Sequence, residues 1–277
     1  MTINAFAIPS MLISLVLSSS AIAAESSPLD QIAQIAADSN CSATNWEDRG
    51  VAKKAYFRGM ALVFAKAICQ PDRPDVKIVG AARGTPGTTS DRTDALTWYD
   101  TKFQSLGMSN ASDGVDTLRH AYALLIGLGM RESSGKYCVG RDRSADFSSA
   151  DTAEAGLFQT SWGAHIASTA MSDLFSKYKS DQKGCFLEVF SNHVACSAWD
   201  AKTWGSGIGA DWQKLTKSCP GFAAEYAAVL LRTSGGKKGE FGPIRTRKAQ
   251  VLPECDSMLS QIQALIAAKP QLCDSLK

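Results

Sequence analysis

Beyond Ala24 the chain has no apolar run of membrane-spanning length, no Cys-x-x-Cys pair, no internal repeat and no low-complexity tract. These absences argue against a polytopic membrane protein, a zinc ribbon, a solenoid and a disordered tail. Histidine is scarce: His120, His165 and His193 are the three in 277 residues, and none has a visible catalytic partner. Ser206, in Trp204-Gly205-Ser206-Gly207, follows no strand pattern, so a nucleophile elbow is not supported. Neither sign of charge dominates, and a formal net charge of +2 demands no nucleic-acid partner.

Met1 to Ala24 carries no charged side chain, is apolar from Met11 to Leu17 and ends in Ala21-Ile22-Ala23-Ala24. This reads as a signal peptide with a small-residue cleavage site. No cysteine follows that site, so a lipid anchor is not expected, and the protein is expected to be exported, periplasmic or secreted, from a bacterial cell. Eight cysteines, Cys41, Cys69, Cys138, Cys185, Cys196, Cys219, Cys255 and Cys273, fit complete pairing in an oxidising compartment. Local pairing predicts Cys41 with Cys69 and Cys255 with Cys273, each bracketing a helix. His193 with Cys185 and Cys196 has a metal-like spacing, but in an exported chain such cysteines point to disulfides. No metal and no cofactor are expected.

The periodicity is helical almost throughout. Asn45 reads as an N-cap, with Asp48 at the capping-box position, for a helix to about Ile68 whose apolar face holds Val51, Ala55, Leu62 and Ala65. Prolines and glycines from Gln70 to about Thr89 predict a loop. Helices are expected over 91–106 and 113–130, the second capped by Asp113, and over 162–179, 222–232 and 255–268. The segment 137–152 is polar and irregular, a place for a small hairpin. A basic cluster, Lys237, Lys238, Arg245, Arg247 and Lys248, reads first as a solvated loop and second as a contact for anionic polymer or phosphate.

The most informative residue is Glu132, in Met130-Arg131-Glu132-Ser133-Ser134-Gly135. Leu118, Ala121, Leu124, Leu125 and Leu128 recur at helical spacing before it, so the carboxylate is delivered at the C-terminal end of a buried helix. The helix dipole and a desolvating wall there both favour its protonated form, the property of a general acid. Taken alone, such a glutamate is more often a solvated helix end.

Glu132-Ser133, followed by Gly156-Leu157-Phe158-Gln159 and then Glu225-Tyr226-Ala227-Ala228, resembles the ordered signatures of the soluble lytic transglycosylases and goose-type lysozymes. The likeness covers about Leu118 to Leu231. It implies a mainly α, lysozyme-like α+β fold: a helical domain with a small β-hairpin beside the active-site cleft. The implied organisation is a signal peptide over 1–24, an N-terminal helical region over 25–112 with the loop 70–89, and a catalytic domain over 113–277. The implied substrate is peptidoglycan glycan strand, cut at the MurNAc-GlcNAc β-1,4 bond, with neither nucleic acid nor membrane as partner.

By the resemblance, Glu132 is the acid/base. Gln159 faces the cleft, and Gly156 lets the backbone approach substrate. Phe158, where the family has Met, is either core or cleft wall. Tyr226 either orients Glu132 or is half-buried core, and Ser133 either bonds a sugar or caps the helix. Lytic transglycosylases use one Glu, with the muramic acid 6-hydroxyl attacking. A hydrolase needs a second carboxylate. Goose-type lysozymes carry an Asp two positions after the motif Gln, where this chain has Ser161. Asp142, Asp146 and Asp151 are the candidates for that second role. The balance favours transglycosylation over a muramidase, and either over an inactive glycan-binding protein.

Overall fold

The computed structural model describes residues 1–2, 27–141 and 149–277. The signal-peptide segment therefore lies almost wholly outside the described residues, as do Asp142 and Asp146.

Helices begin where proline occupies the first turn and an apolar run follows, because proline's missing N–H is not needed there. Pro28–Asp38, Pro74–Gly80, Pro220–Thr233 and Pro253–Ala268 all start this way. The longest helix, Val115–Ser133, starts after Gly114 without a side-chain cap. The expected cap, Asp113, instead accepts from the Ala82 N–H at 2.6 Å. The helix expected after Asn45 is Lys54–Cys69, with Lys53 as its N-cap, eight residues later than Asn45 implied. Trp46 and Gly50 form an antiparallel bridge there, and that tight turn supersedes the apparent capping box. The loop expected over 70–89 contains the Pro74–Gly80 helix. The helix expected over 91–106 is broken into Ser90–Thr93, Ala95–Trp98 and Asp100–Ser105. A 3₁₀ turn, Trp162–Ala167, precedes the helix Thr169–Ser180.

Lys54–Cys69, Val115–Ser133 and Pro220–Thr233 are apolar on most of their circumference and form the centre. Pro220 through Arg232 are all buried, and residues from all three helices belong to one core cluster that also takes in Ile32, Phe103, Phe175 and Leu259. The 25–112 and 113–277 segments thus share a core. The chain is mainly helical. Strand pairing among the described residues is confined to two isolated bridges, Trp46 with Gly50 and Ala155 with Thr160. The described part of 137–152 holds no strand.

All eight cysteines are paired, as Cys41–Cys255, Cys69–Cys273, Cys138–Cys196 and Cys185–Cys219. The local pairings are overturned for a geometric reason. Lys54–Cys69 and Pro253–Ala268 have 16 residues each, and a helix of that length rises about 24 Å. Each helix separates the two cysteines it lies between by most of its length, whereas a disulfide spans a few ångströms. Cys41–Cys255 ties the short helix Asn40–Ala43 to the start of Pro253–Ala268, and Cys69–Cys273 ties the end of Lys54–Cys69 to the 3₁₀ turn Pro270–Leu276. Four disulfides agree with an oxidising compartment. Among the described residues no helix is long and apolar enough to cross a membrane.

Candidate active site

Glu132 lies half-buried on the last turn of Val115–Ser133. Ser134 ends the helix in the left-handed region at φ 54°, and Gly135 follows at φ 73°. Their N–H groups return to the carbonyls of Met130 at 3.0 Å and Gly129 at 3.2 Å, satisfying acceptors that a helix end otherwise leaves open. Gly135 is needed at this point, since a Cβ there would meet the Tyr56 ring at 2.7 Å. Tyr56 in turn donates its hydroxyl to the Ile126 carbonyl at 2.7 Å. The loop carrying the Trp46–Gly50 bridge grips the same helix end: Arg49 donates to the Arg131 carbonyl, and Arg131 donates to the Glu47 carbonyl at 3.0 Å.

The reversal at Ser134 sends the chain back along this end, so that Val139 meets the second motif. Its carbonyl accepts the Gly156 N–H at 2.8 Å and the Gln159 side-chain amide at 3.5 Å. Gln159, at φ 44°, also donates Nε2 to the Gly156 carbonyl at 2.9 Å. The bridge Ala155–Thr160 closes the loop around both residues. Gly156 stands at φ 80° with Thr216 behind it, where a Cβ would come within 2.9 Å of the hydroxyl. Close backbone packing against Thr216 therefore accounts for this glycine. The Phe158 ring is fully buried and lies against Gly129, one turn before Glu132. Of its two readings, Phe158 takes the core one. Through this ring the second motif touches the Val115–Ser133 helix at Gly129, three residues before Glu132.

Three further candidates have defined structural partners. Ser133 is buried and donates its hydroxyl to the Gly129 carbonyl at 3.1 Å, a back-bond within the helix. The Tyr226 hydroxyl goes to the Ser161 carbonyl at 3.0 Å, with that of Trp162 at 3.4 Å. A phenol has one proton to donate, so of its two readings Tyr226 takes the core one, fully buried and fixing the segment after Gln159. Burial pushes its pKa well up, so the hydroxyl stays a donor. Asp151 is exposed, with its carboxylate turned against Gly209 and its carbonyl accepting the Gly163 N–H at 2.7 Å. Cys185 and Cys196, the thiols of the metal-like cluster with His193, are both in disulfides. No three His, Cys, Asp or Glu among the described residues are placed to hold a metal ion.

Glu225 has a structural role that the sequence reading missed. It is 2% exposed and receives Lys66 at 3.2 Å, both ends of the Arg73 guanidinium, and the Tyr178 hydroxyl at 2.9 Å. Burial alone would raise its pKa, but the Lys66 and Arg73 charges outweigh that and hold it below the usual value. The available signal was a lone carboxylate within the apolar run 222–231, which must find buried cations.

No family model, no curated protein and no solved structure matches this chain.

Proposed function

We propose that the chain is an exported peptidoglycan-cleaving enzyme that acts by lytic transglycosylation, with Glu132 as its single acid/base. The carboxylic acid of Glu132 protonates the glycosidic oxygen between MurNAc C1 and GlcNAc C4, and the C1–O bond breaks with oxocarbenium character at C1. The resulting carboxylate takes the proton of the muramic acid 6-hydroxyl as that oxygen bonds to C1. The products are a 1,6-anhydro end and a GlcNAc 4-hydroxyl, with Glu132 protonated again. No water is added.

The observation that carries this reading is the contact of Phe158 with Gly129, which joins the Gly-Leu-Phe-Gln loop to the helix turn bearing Glu132. Ser161 at the position of the goose-type Asp, and the turn of Asp151 onto Gly209, favour one carboxylate over two.

The test is digestion of purified sacculi followed by mass spectrometry of the fragments. Anhydro-muropeptides from wild-type protein, and none from Glu132→Gln, are expected. Fragments with reducing ends would replace transglycosylation by hydrolysis. Sacculi left intact by the wild type would remove the catalytic assignment altogether.

A further inference from the structure

Lys102, Lys237, Lys238, Arg245, Arg247 and Lys248 are all exposed, and none of them forms an ion pair with another described residue. The fold brings three of these cations, from separate segments, to one place. The guanidinium of Arg247 lies 3.7 Å from the centre of the Trp98 indole, and the ammonium of Lys237 lies 5.3 Å from the same centre. Trp98 is held by its indole N–H, which donates to the Ile244 carbonyl at 3.1 Å, while Arg247 Nη2 donates to the Trp98 carbonyl at 3.1 Å. Arg247 does this from a left-handed backbone at φ 56°, a conformation more easily taken by glycine or asparagine. Beside the indole is a cavity of about 420 Å³, with Tyr99, Lys102, Arg247 and Gln250 among its lining residues.

Two cations over one indole repel each other. The ring quadrupole offsets part of that repulsion, and a bound anion would offset the rest. Lys237 with Lys238 and Arg247 with Lys248 are pairs of chain neighbours, so the positive charge is dense and continues beyond the cavity mouth. Such density matches a ligand with a charge at every short repeat, more than one with a single charge per sugar ring. The planar guanidinium suits two oxygens of one phosphate, and the lysines suit the next.

We infer that this face, centred on Trp98, Lys102 and Arg247, is a binding site for a linear phosphate polymer, seated with one phosphate at the cavity and its neighbours along Lys237 and Lys248. The site is built from residues outside both motifs, and it stands whether or not Glu132 cleaves glycan.

The probe is inorganic polyphosphate, with binding to the full chain followed by Trp fluorescence and by calorimetry over a salt series. Wild-type protein binds, and affinity falls as salt rises, because each cation neutralised releases a counterion. The Lys102→Gln/Arg247→Gln variant should bind at least about tenfold more weakly and lower the steepness of the logarithmic salt dependence by about one to two. Lys53→Gln/Lys183→Gln removes the same charge from exposed positions elsewhere and should leave affinity within about twofold. Equal losses in the two variants would reduce the effect to net charge and overturn the site. So would tighter binding of polygalacturonate than of polyphosphate, or no binding to the wild type. Both variants change only exposed side chains, and matching thermal melts keep a lost fold from being read as lost binding.

Discussion

Arg73 grips Glu225 with both ends of its guanidinium, Nη1 to Oε1 at 3.0 Å and Nη2 to Oε2 at 2.6 Å. Arg73 lies just ahead of Pro74–Gly80 and Glu225 on the central Pro220–Thr233 helix, so the fork fixes one to the other inside the core. Removing one partner leaves buried charges without their compensation. Glu225→Ala should therefore cost about 3–5 kcal/mol, read as a lower urea midpoint; a loss below about 1 kcal/mol would mean that the core relaxes around the gap.

The same carboxylate makes stability depend on acid in a stated direction. Its folded pKa lies below the ordinary value of a glutamate, so its contribution is complete above that ordinary value and is lost as the pH falls through the folded pKa. Glu225→Gln removes the titration. The stability gap between wild type and this variant should be widest at pH 7 and narrow as the pH falls below the ordinary carboxylate range. A gap of constant size over that range would show that shape, and not charge, is what the site requires.

Tyr226→Phe isolates the hydrogen bond that holds the chain after Gln159. The Ser161 carbonyl loses its donor while the ring remains, which costs about 1–3 kcal/mol. Amide exchange should quicken over 155–162 and stay unchanged within Val115–Ser133. Faster exchange in both segments, or in neither, would separate Tyr226 from the motif loop.

The sequence made the central helices legible because their apolar periodicity is long and the partners of their buried faces are other helices. It misplaced the start of Lys54–Cys69, since Asn45 and Asp48 satisfy a capping pattern that the Trp46–Gly50 turn pre-empts. In the site, the position of Glu132 at a helix end was legible from the apolar spacing before it, whereas the packing of Phe158 against Gly129 was not, because a core contact between distant segments has no local pattern. The duties of Ser133 and Tyr226 were not legible. A hydroxyl's nearest acceptor is set by backbone that packing brings close, Gly129 for one and Ser161 for the other, and no local pattern encodes that meeting.

The disulfide connectivity gives a direct chemical prediction. Tryptic peptides from protein that has not been reduced should contain Cys41 linked to Cys255 and Cys69 linked to Cys273. The loops they close span 214 and 204 residues, and constraining such loops in the unfolded chain stabilises by up to about 5 kcal/mol each on a chain-entropy basis. Cys41→Ser/Cys255→Ser should thus lower the melting temperature strongly. A peptide joining Cys41 to Cys69 would contradict this connectivity.

Gly156 carries two separable demands, a left-handed backbone at φ 80° and a neighbour, Thr216, whose hydroxyl would lie 2.9 Å from any Cβ. Gly156→Ala should cost about 1–3 kcal/mol from strain and crowding together. Thr216→Ala removes the crowding side chain but leaves the backbone strain, so in a double-mutant cycle the two substitutions should couple favourably by more than about 0.5 kcal/mol. The coupling should also appear in function: the double variant should digest sacculi faster than Gly156→Ala alone, because the Gln159 loop returns toward Val139. Additive stabilities would mean that the backbone conformation alone requires glycine here, and that Thr216 places no constraint on the loop that meets Glu132's helix.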